Sequence, residues 1–161
     1  MTIAARIKSS NFHQLFTLSK VFIQKPLFII PTLNATRKTI QICNSNFGKA
    51  HHKNTPANAF RHALWNFLIC EKCYRISGSA EKVMHWSKKI TDLHERLAPN
   101  KELAQRMDLH NNLVGRSLFK EHVSERIDIV IILMGKLKDA VKISEVKNIE
   151  RAKNNLVFIE N

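Results

Sequence analysis

Three histidines lie in unusually polar motifs, and imidazole side chains are suited to metal binding or to acid–base catalysis. They are His62, His94 and His110, each on the apolar face of a separate predicted helix. Core positions usually hold aliphatic side chains, because a buried polar group without a hydrogen-bond partner costs about 1–3 kcal/mol. Three histidines at such positions favour a shared functional site over ordinary packing.

Carboxylate, amide or guanidinium side chains accompany each histidine. The motifs read Asn58-Ala-Phe-Arg-His-Ala-Leu-Trp-Asn66, Asp92-Leu-His-Glu95 and Met107-Asp-Leu-His-Asn-Asn-Leu-Val-Gly-Arg116. Asn58, His62 and Asn66 are four residues apart, so they form one stripe of a helix and face one pocket. His94 and His110 continue the apolar stripes of the next two predicted helices.

One interpretation of these motifs is a metal centre. Three imidazoles from three helices, with Asp92 as a further ligand, could bind a divalent transition metal such as zinc and leave one position open for water. The metal would lower the pKa of that water and supply a hydroxide nucleophile near neutral pH. No H-E-x-x-H motif or other standard metal-binding spacing is present.

The second interpretation requires no metal. One histidine would act as a general base, a carboxylate would orient its ring, and amide or guanidinium groups would stabilise developing negative charge. The predicted catalytic residues are His62, His94, His110, Glu95 and Asp108. The predicted substrate-binding residues are Arg61, Asn58, Asn66, Asn111, Asn112 and Arg116. Both interpretations describe a small hydrolase that acts on a phosphate- or ester-containing substrate.

The positive charge of the chain supports a different class of function. The formal net charge is +13, and residues 1–70 contain nine Lys and Arg but no Asp or Glu. This asymmetry predicts either a polyanionic partner, nucleic acid or an anionic lipid surface, or simply a solvated basic surface. The alternative function is therefore a non-enzymatic binding module, in which the histidines form a structural polar network.

Apolar periodicity predicts about six helices that position these motifs. The first two carry apolar residues at helical spacing from Phe12 to Ile23 and from Leu33 to Phe47. Thr55-Pro56 begins a third helix, over about 56–75, which Ser77-Gly78-Ser79 ends. The fourth begins at Ser79 and stops before Pro99, the fifth follows Asn100 and reaches Leu118, and the sixth covers about 122–137.

The C-terminal part of the sequence allows alternatives. The run Ile129-Val-Ile-Ile-Leu133 is rich in β-branched residues, so a strand is the alternative to the sixth helix. Residues 140–143 and 156–159 form a small hairpin in one interpretation and extend as helix in the other. We expect a single all-α domain over 1–161, a compact bundle with basic helices in 1–54, the polar motifs in 55–120 and a peripheral element in 121–161.

Cysteine content and hydropathy bear on the compartment. Cys43, Cys70 and Cys73 are an odd number, which favours a reducing compartment, and their apolar surroundings favour buried thiols over a metal or redox pair. The apolar residues between 12 and 31 are interrupted by two lysines and a proline, so neither a transmembrane helix nor a signal peptide is predicted. We expect a cytoplasmic protein, with secretion by a route that needs no cleaved signal as the alternative, and no pattern indicates its oligomeric state.

The three motifs together resemble a widespread family of bacterial domains of unknown function. The resemblance covers residues 58–116 and rests on the combination N-x-F-R-H-A-x-W-N, D-x-H-E and M-D-x-H-N-N-x-x-G-R. It implies that these positions form a common site. It carries no established activity with it.

Overall fold

The computed structural model describes residues 19–97 and 100–159, most of which are helical. Residues 19–24 are helical, and short 3-10 turns occupy Pro26–Phe28 and Ala50–His52. The long helices are α1 (Ile29–Phe47), α2 (Pro56–Ser77), α3 (Ala80–Leu97) and α4 (Glu102–Glu121). They are followed by α5 (Ile129–Lys138), β1 (Val141–Lys142), α6 (Val146–Ala152) and β2 (Val157–Phe158). The predicted compact helical bundle is confirmed.

Local sequence signals account for several helix ends. Pro56 lies in the first turn of α2, where its missing N–H removes no helical hydrogen bond, and Gly78 ends that helix in the left-handed conformation with φ of 62°. The predicted start of the sixth helix is wrong. Asp128 is the N-cap of α5, because its side chain accepts hydrogen bonds from the main-chain N–H groups of Val130 and Ile131. Residues 12–18 of the first predicted helix lie outside the described residues.

The C-terminal segments pair, but the hairpin topology is wrong. Val141 pairs with Val157 and Lys142 with Phe158 in a parallel ladder. A parallel pair needs a crossover connection, and α6 provides it. The β-branched run 129–133 is helical in α5, so the strand alternative is also wrong there.

Helix α2 is the centre of the bundle and contacts α1, α3 and α4. From Ala57 to Cys70 every residue except Arg61 is buried. Two tryptophans fasten the bundle to α1, since the indole N–H of Trp65 donates to Thr36 and that of Trp86 donates to Thr32, each at 2.9 Å. Because this part of α2 is buried, its polar side chains find their partners on α2 itself or on the surrounding helices.

Helices α2 and α4 approach each other closely at Gly115 of α4. A Cβ atom placed there would lie 2.1 Å from the main-chain oxygen of Ala63 on α2. Because any larger side chain would push the two helices apart, this glycine sets the distance at which side chains of α2 and α4 meet.

The three cysteines are free and buried, as the sequence predicts. Burial raises the pKa of Cys43 and Cys70 to about 12 and that of Cys73 to about 11. Their thiols therefore stay protonated at neutral pH, a state that disfavours metal binding. Within residues 19–97 and 100–159, no helix has the length and hydropathy to cross a membrane.

Candidate metal and acid–base centre

Three helices each direct a row of polar side chains into one buried region. The rows are Asn58, His62 and Asn66 on α2, Ser87, Thr91 and Glu95 on α3, and Asp108, Asn112 and Arg116 on α4. All of these residues are buried. Within each row the spacing is four residues, which keeps the side chains on one face, so the three rows meet where the helices pack.

His62 lies between two carboxylates at the centre of these rows. Its Nε2 is 3.3 Å from Oδ1 of Asp108, and its Nδ1 is 3.7 Å from Oε1 of Glu95. Their exposed fractions are 2% for His62 and 4% for each acid. One ligating atom of each residue can be chosen so that the three atoms lie within 4.8 Å of one another. We call His62, Glu95 and Asp108 the core cluster, a group close enough to share a metal ion or a proton.

A chain of hydrogen bonds determines which ring nitrogen of His62 carries a proton. Nη1 of Arg116 can only donate and lies 2.7 Å from Oδ1 of Asn66, so the amide nitrogen of Asn66 must donate elsewhere. That nitrogen donates to Oδ1 of Asn112 at 2.7 Å. Oδ1 of Asn112 is thus an acceptor, and His62 Nδ1–H donates to it at 3.1 Å. The neutral ring therefore presents the lone pair of Nε2 toward Asp108.

A positive charge already lies beside this lone pair. Nη2 of Arg61 is 2.9 Å from Nε2 of His62 and donates to it. Nε2 and the nearby oxygen of Asp108 both present electron pairs, so a cation beside them is stabilising. The position next to Nε2 therefore suits a guanidinium, a proton or a metal ion.

Asn66 is the hub that joins the three rows. Its Oδ1 accepts from Ser87 Oγ at 2.9 Å and Thr91 Oγ1 at 3.2 Å, in addition to Arg116. Burial lowers the pKa of Arg116, and the nearby charge of Asp92 opposes that shift. This network holds Arg116 and Asn66 against each other, one helical turn from the core cluster.

Two buried amide atoms near His62 have no hydrogen-bond partner within the described part of the chain. They are Oδ1 of Asn58 and Nδ2 of Asn112. Asn112 contacts the His62 ring through its other amide atom, and Asn58 lies one turn before His62 on α2. A buried polar atom in this state costs about 1–3 kcal/mol unless a water or ligand satisfies it. One such acceptor and one such donor are thus available for a polar ligand.

The other two predicted histidines have different surroundings. His94 is partly buried and stands edge-on to Trp65, with ring centroids 5.0 Å apart. Nε2 of His110 is 2.9 Å from the main-chain oxygen of Asn155. Neither histidine belongs to the core cluster.

Asn111 and Asp92 also lie apart from the core cluster. The side chain of Asn111 donates to the main-chain oxygen of Val157 at 2.8 Å and accepts from its N–H at 3.0 Å, as a neighbouring strand would. Asp92 is partly buried and forms an ion pair with Lys88 one turn away. We call His110 and Asn111, which hold residues 155–157, the C-terminal clamp.

Ser87 and Thr91, which reach Asn66 from α3, are not among the residues predicted from the sequence. A signal was present, because Ser87, Thr91 and Glu95 have the same four-residue spacing as Asn58, His62 and Asn66. Ser and Thr are common on solvent-exposed helix faces, so the pattern is visible only when two helices are compared.

Comparison with known proteins gives a family but no activity. No curated protein and no solved structure matches the chain. A family model described as a domain of unknown function (DUF6973) matches residues 19–142, which include the whole core cluster and the C-terminal clamp residues His110 and Asn111. The chain therefore belongs to this family of domains of unknown function.

Proposed function

We propose that the protein is a small hydrolase whose reaction centre is the core cluster, loaded with one divalent transition metal such as zinc. The observation that carries this proposal is the burial of one imidazole and two carboxylates, from three helices, with ligating atoms within 4.8 Å of one another. Placing two carboxylates in a helical core is unfavourable unless a positive charge compensates them.

The distances support a metal of the size of zinc. Zinc binds histidine nitrogen and carboxylate oxygen at about 2.0–2.2 Å, so two ligands at a tetrahedral angle are about 3.3–3.6 Å apart. The separation of His62 Nε2 and Asp108 Oδ1 is 3.3 Å. Nδ1–H of His62 donates to Asn112, and such a second hydrogen bond is typical of a metal-binding imidazole. His62 and Asp108 would thus supply two ligands. Glu95, whose Oε1 lies 3.7 Å from Nδ1 of the same ring, would supply the third by turning its carboxylate toward Nε2.

The surrounding residues would bind and orient the substrate. A metal at this position would polarise a phosphoryl or carbonyl oxygen and acidify a water molecule. Arg61, whose guanidinium must leave Nε2 when a metal binds there, would then be available to pair with a phosphate or carboxylate group of the substrate. The unsatisfied Nδ2 of Asn112 would donate to the same ligand, and Oδ1 of Asn58 would accept from it.

Chromogenic esters test the hydrolase proposal directly. We expect the purified protein to hydrolyse at least one of p-nitrophenyl acetate, p-nitrophenyl phosphate and bis(p-nitrophenyl) phosphate, to lose that activity in a chelator and to regain it with zinc. Asp108→Asn should lower the rate at least about 100-fold, while Asp139→Asn, at an exposed position, should not change it. Hydrolysis that is indifferent to both chelator and Asp108→Asn would refute the proposal.

The Asn66 network favours a second candidate function, a purely structural one. In this alternative the histidine, both acids and both arginines form a closed polar network that holds three helices in register. It predicts that the protein binds no metal at stoichiometric level. It also predicts that Glu95→Gln and Asp108→Asn change stability and nothing else.

A further inference from the structure

The chain segment that leads into α1 presents three large aliphatic side chains to solvent. The exposed fractions are 76% for Ile23, 71% for Leu27 and 69% for Ile30. They follow one another at spacings of four and three residues, through the helical residues 19–24, the 3-10 turn and the first turn of α1. Single exposed aliphatic residues are common on soluble proteins, but a sequence-local group of three is a typical interaction surface.

Two aromatic residues of the same segment anchor it to the bundle. Phe22 and Phe28 lie against Trp86 of α3, with ring centroids 6.3 and 5.6 Å apart. Trp86 is itself fixed by its hydrogen bond to Thr32. Because the inward side chains are held in this way, the outward aliphatic side chains are presented in a defined orientation.

Lysines neighbour these aliphatic residues, two along the chain and one from α3. Lys20 and Lys25 are exposed on the same segment, and Nζ of Lys89 on α3 donates to the side chain of Gln24. The first 70 residues contain no acidic side chain. The surface thus combines hydrocarbon with lysine ammonium groups. We call Ile23, Leu27 and Ile30, with their flanking lysines, the apolar-basic platform.

We propose that the apolar-basic platform docks on the surface of an anionic lipid bilayer. Insertion of branched aliphatic side chains among acyl chains lowers the free energy of binding, and contact of the flanking lysines with anionic headgroups lowers it further. A nucleic acid would use the lysines but has no place for three aliphatic side chains. It is usually bound with arginine or aromatic residues, which the outward face of this segment lacks.

Vesicle co-sedimentation with the full chain tests this proposal. We expect binding to vesicles of phosphatidylcholine mixed with phosphatidylglycerol, much weaker binding to phosphatidylcholine alone, and weakening with added salt. The triple variant Ile23→Ser, Leu27→Ser, Ile30→Ser should bind at least about 10-fold more weakly. Each of Lys20→Glu and Lys25→Glu should reduce binding about five-fold or more, because a lysine near an anionic surface contributes a factor of this size.

Matched substitutions elsewhere separate docking from general stickiness. Ile131→Ser on α5 removes an aliphatic residue that is 70% exposed, and Lys120→Glu on α4 reverses an exposed lysine. Both should bind vesicles like the wild type, and all variants should keep the helical circular dichroism of the wild type. Equal binding to neutral and anionic vesicles would overturn the proposal, and so would full binding by the triple variant. The proposal would also fail if the wild type bound no vesicles but self-associated or bound RNA, and the triple variant lost that activity.

Discussion

The core cluster and the C-terminal clamp use neighbouring residues of one motif in opposite ways. Asn111 pairs both its amide atoms with the main chain of Val157, so each hydrogen-bonding atom has a structural partner. Asn112, the next residue, accepts from His62 and Asn66 through Oδ1, while its Nδ2 has no partner within the described residues. Both amide atoms of Asn111 thus have partners within the fold, whereas Nδ2 of Asn112 can still donate a hydrogen bond to a ligand.

Polar residues that stabilise the fold and polar residues of a candidate site differ in the groups that surround them. A structural polar side chain forms hydrogen bonds with main-chain atoms, as Asn111 does with Val157. A candidate site combines side chains whose charges oppose burial, as Glu95 and Asp108 do in the core cluster. Substitutions at the clamp should therefore reduce stability and preserve ligand binding. Substitutions at the core cluster should abolish ligand binding and preserve or raise stability.

The largest expected effect is at Gly115, which positions both regions. Gly115→Ala places a Cβ 2.1 Å from the main-chain oxygen of Ala63, so α2 and α4 must separate. We expect the free energy of unfolding to fall by about 3 kcal/mol or more in urea denaturation, since overpacking costs about 1–3 kcal/mol even where flexible side chains can adjust. Gly135→Ala is the control, because its Cβ meets nothing within 4 Å and alanine favours helix. Equal stability of the two variants would contradict the close approach.

The paired substitutions Asn111→Ala and Asn112→Ala test the distinction itself. Asn111→Ala removes two hydrogen bonds to the main chain of Val157 and should lower the free energy of unfolding by about 2–4 kcal/mol, with zinc affinity close to that of the wild type. Asn112→Ala removes the acceptor for His62 Nδ1 and should weaken zinc binding about 10- to 100-fold. Zinc titrations of both variants under native conditions check this. A larger loss of affinity for Asn111→Ala would reverse the assignment.

A smaller effect is expected at Arg61. Its guanidinium donates to Nε2 of His62 and competes with a metal for that position. Arg61→Gln should therefore tighten zinc binding about 3- to 10-fold, because a nearby like charge is removed. Arg75→Gln, whose exposed side chain pairs with Glu71, should leave the affinity unchanged. Weaker zinc binding by Arg61→Gln would show that Arg61 supports the metal rather than competing with it.

The smallest effect concerns the pH dependence of stability and His51, whose ring is buried and feels the charge of Arg61. Burial, with His52 and Arg61 nearby, lowers the pKa of His51 from 6.5 to about 4. The group is neutral in the folded protein but protonates near pH 6.5 when unfolded, so its contribution to stability is present above about pH 6.5 and is lost as the pH falls toward 4. His51→Gln, whose amide can still donate to Asn44, should reduce the loss of stability over that range. Urea denaturation at several pH values measures it, and identical pH profiles would rule out this role.

The sequence predicted the helical bundle and many residues of the candidate site. It predicted less well how those residues are arranged within the site. Helical periodicity and the Pro56 and Gly78 signals located α2, and the polar motifs located His62, Glu95 and Asp108 among the site residues. It did not separate the core cluster from the clamp. The close approach at Gly115 determines which of two adjacent faces of α4 turns toward α2. It is a tertiary contact, so it leaves no periodic signal in the sequence.

The parallel pairing of β1 and β2 was beyond the sequence for a related reason. Each strand has two residues, too few to show an alternating pattern, and the pairing depends on contacts with distant parts of the chain. Val157 is held by Asn111 on α4, and the N–H of Ile159 donates to the main-chain oxygen of Asn54. Such long-range contacts decide the topology of short strands.

The zinc content of the purified protein decides whether the core cluster is a metal centre. Protein purified without chelator, then dialysed against zinc and analysed for bound metal, should hold one zinc per chain. Glu95→Gln and Asp108→Asn should lose it while keeping, or slightly raising, the free energy of unfolding measured without metal, because each removes a buried carboxylate. His94→Gln and His110→Gln should keep the zinc. Wild-type protein without bound zinc, or zinc that survives both carboxylate substitutions, would show that the core cluster is not a zinc site.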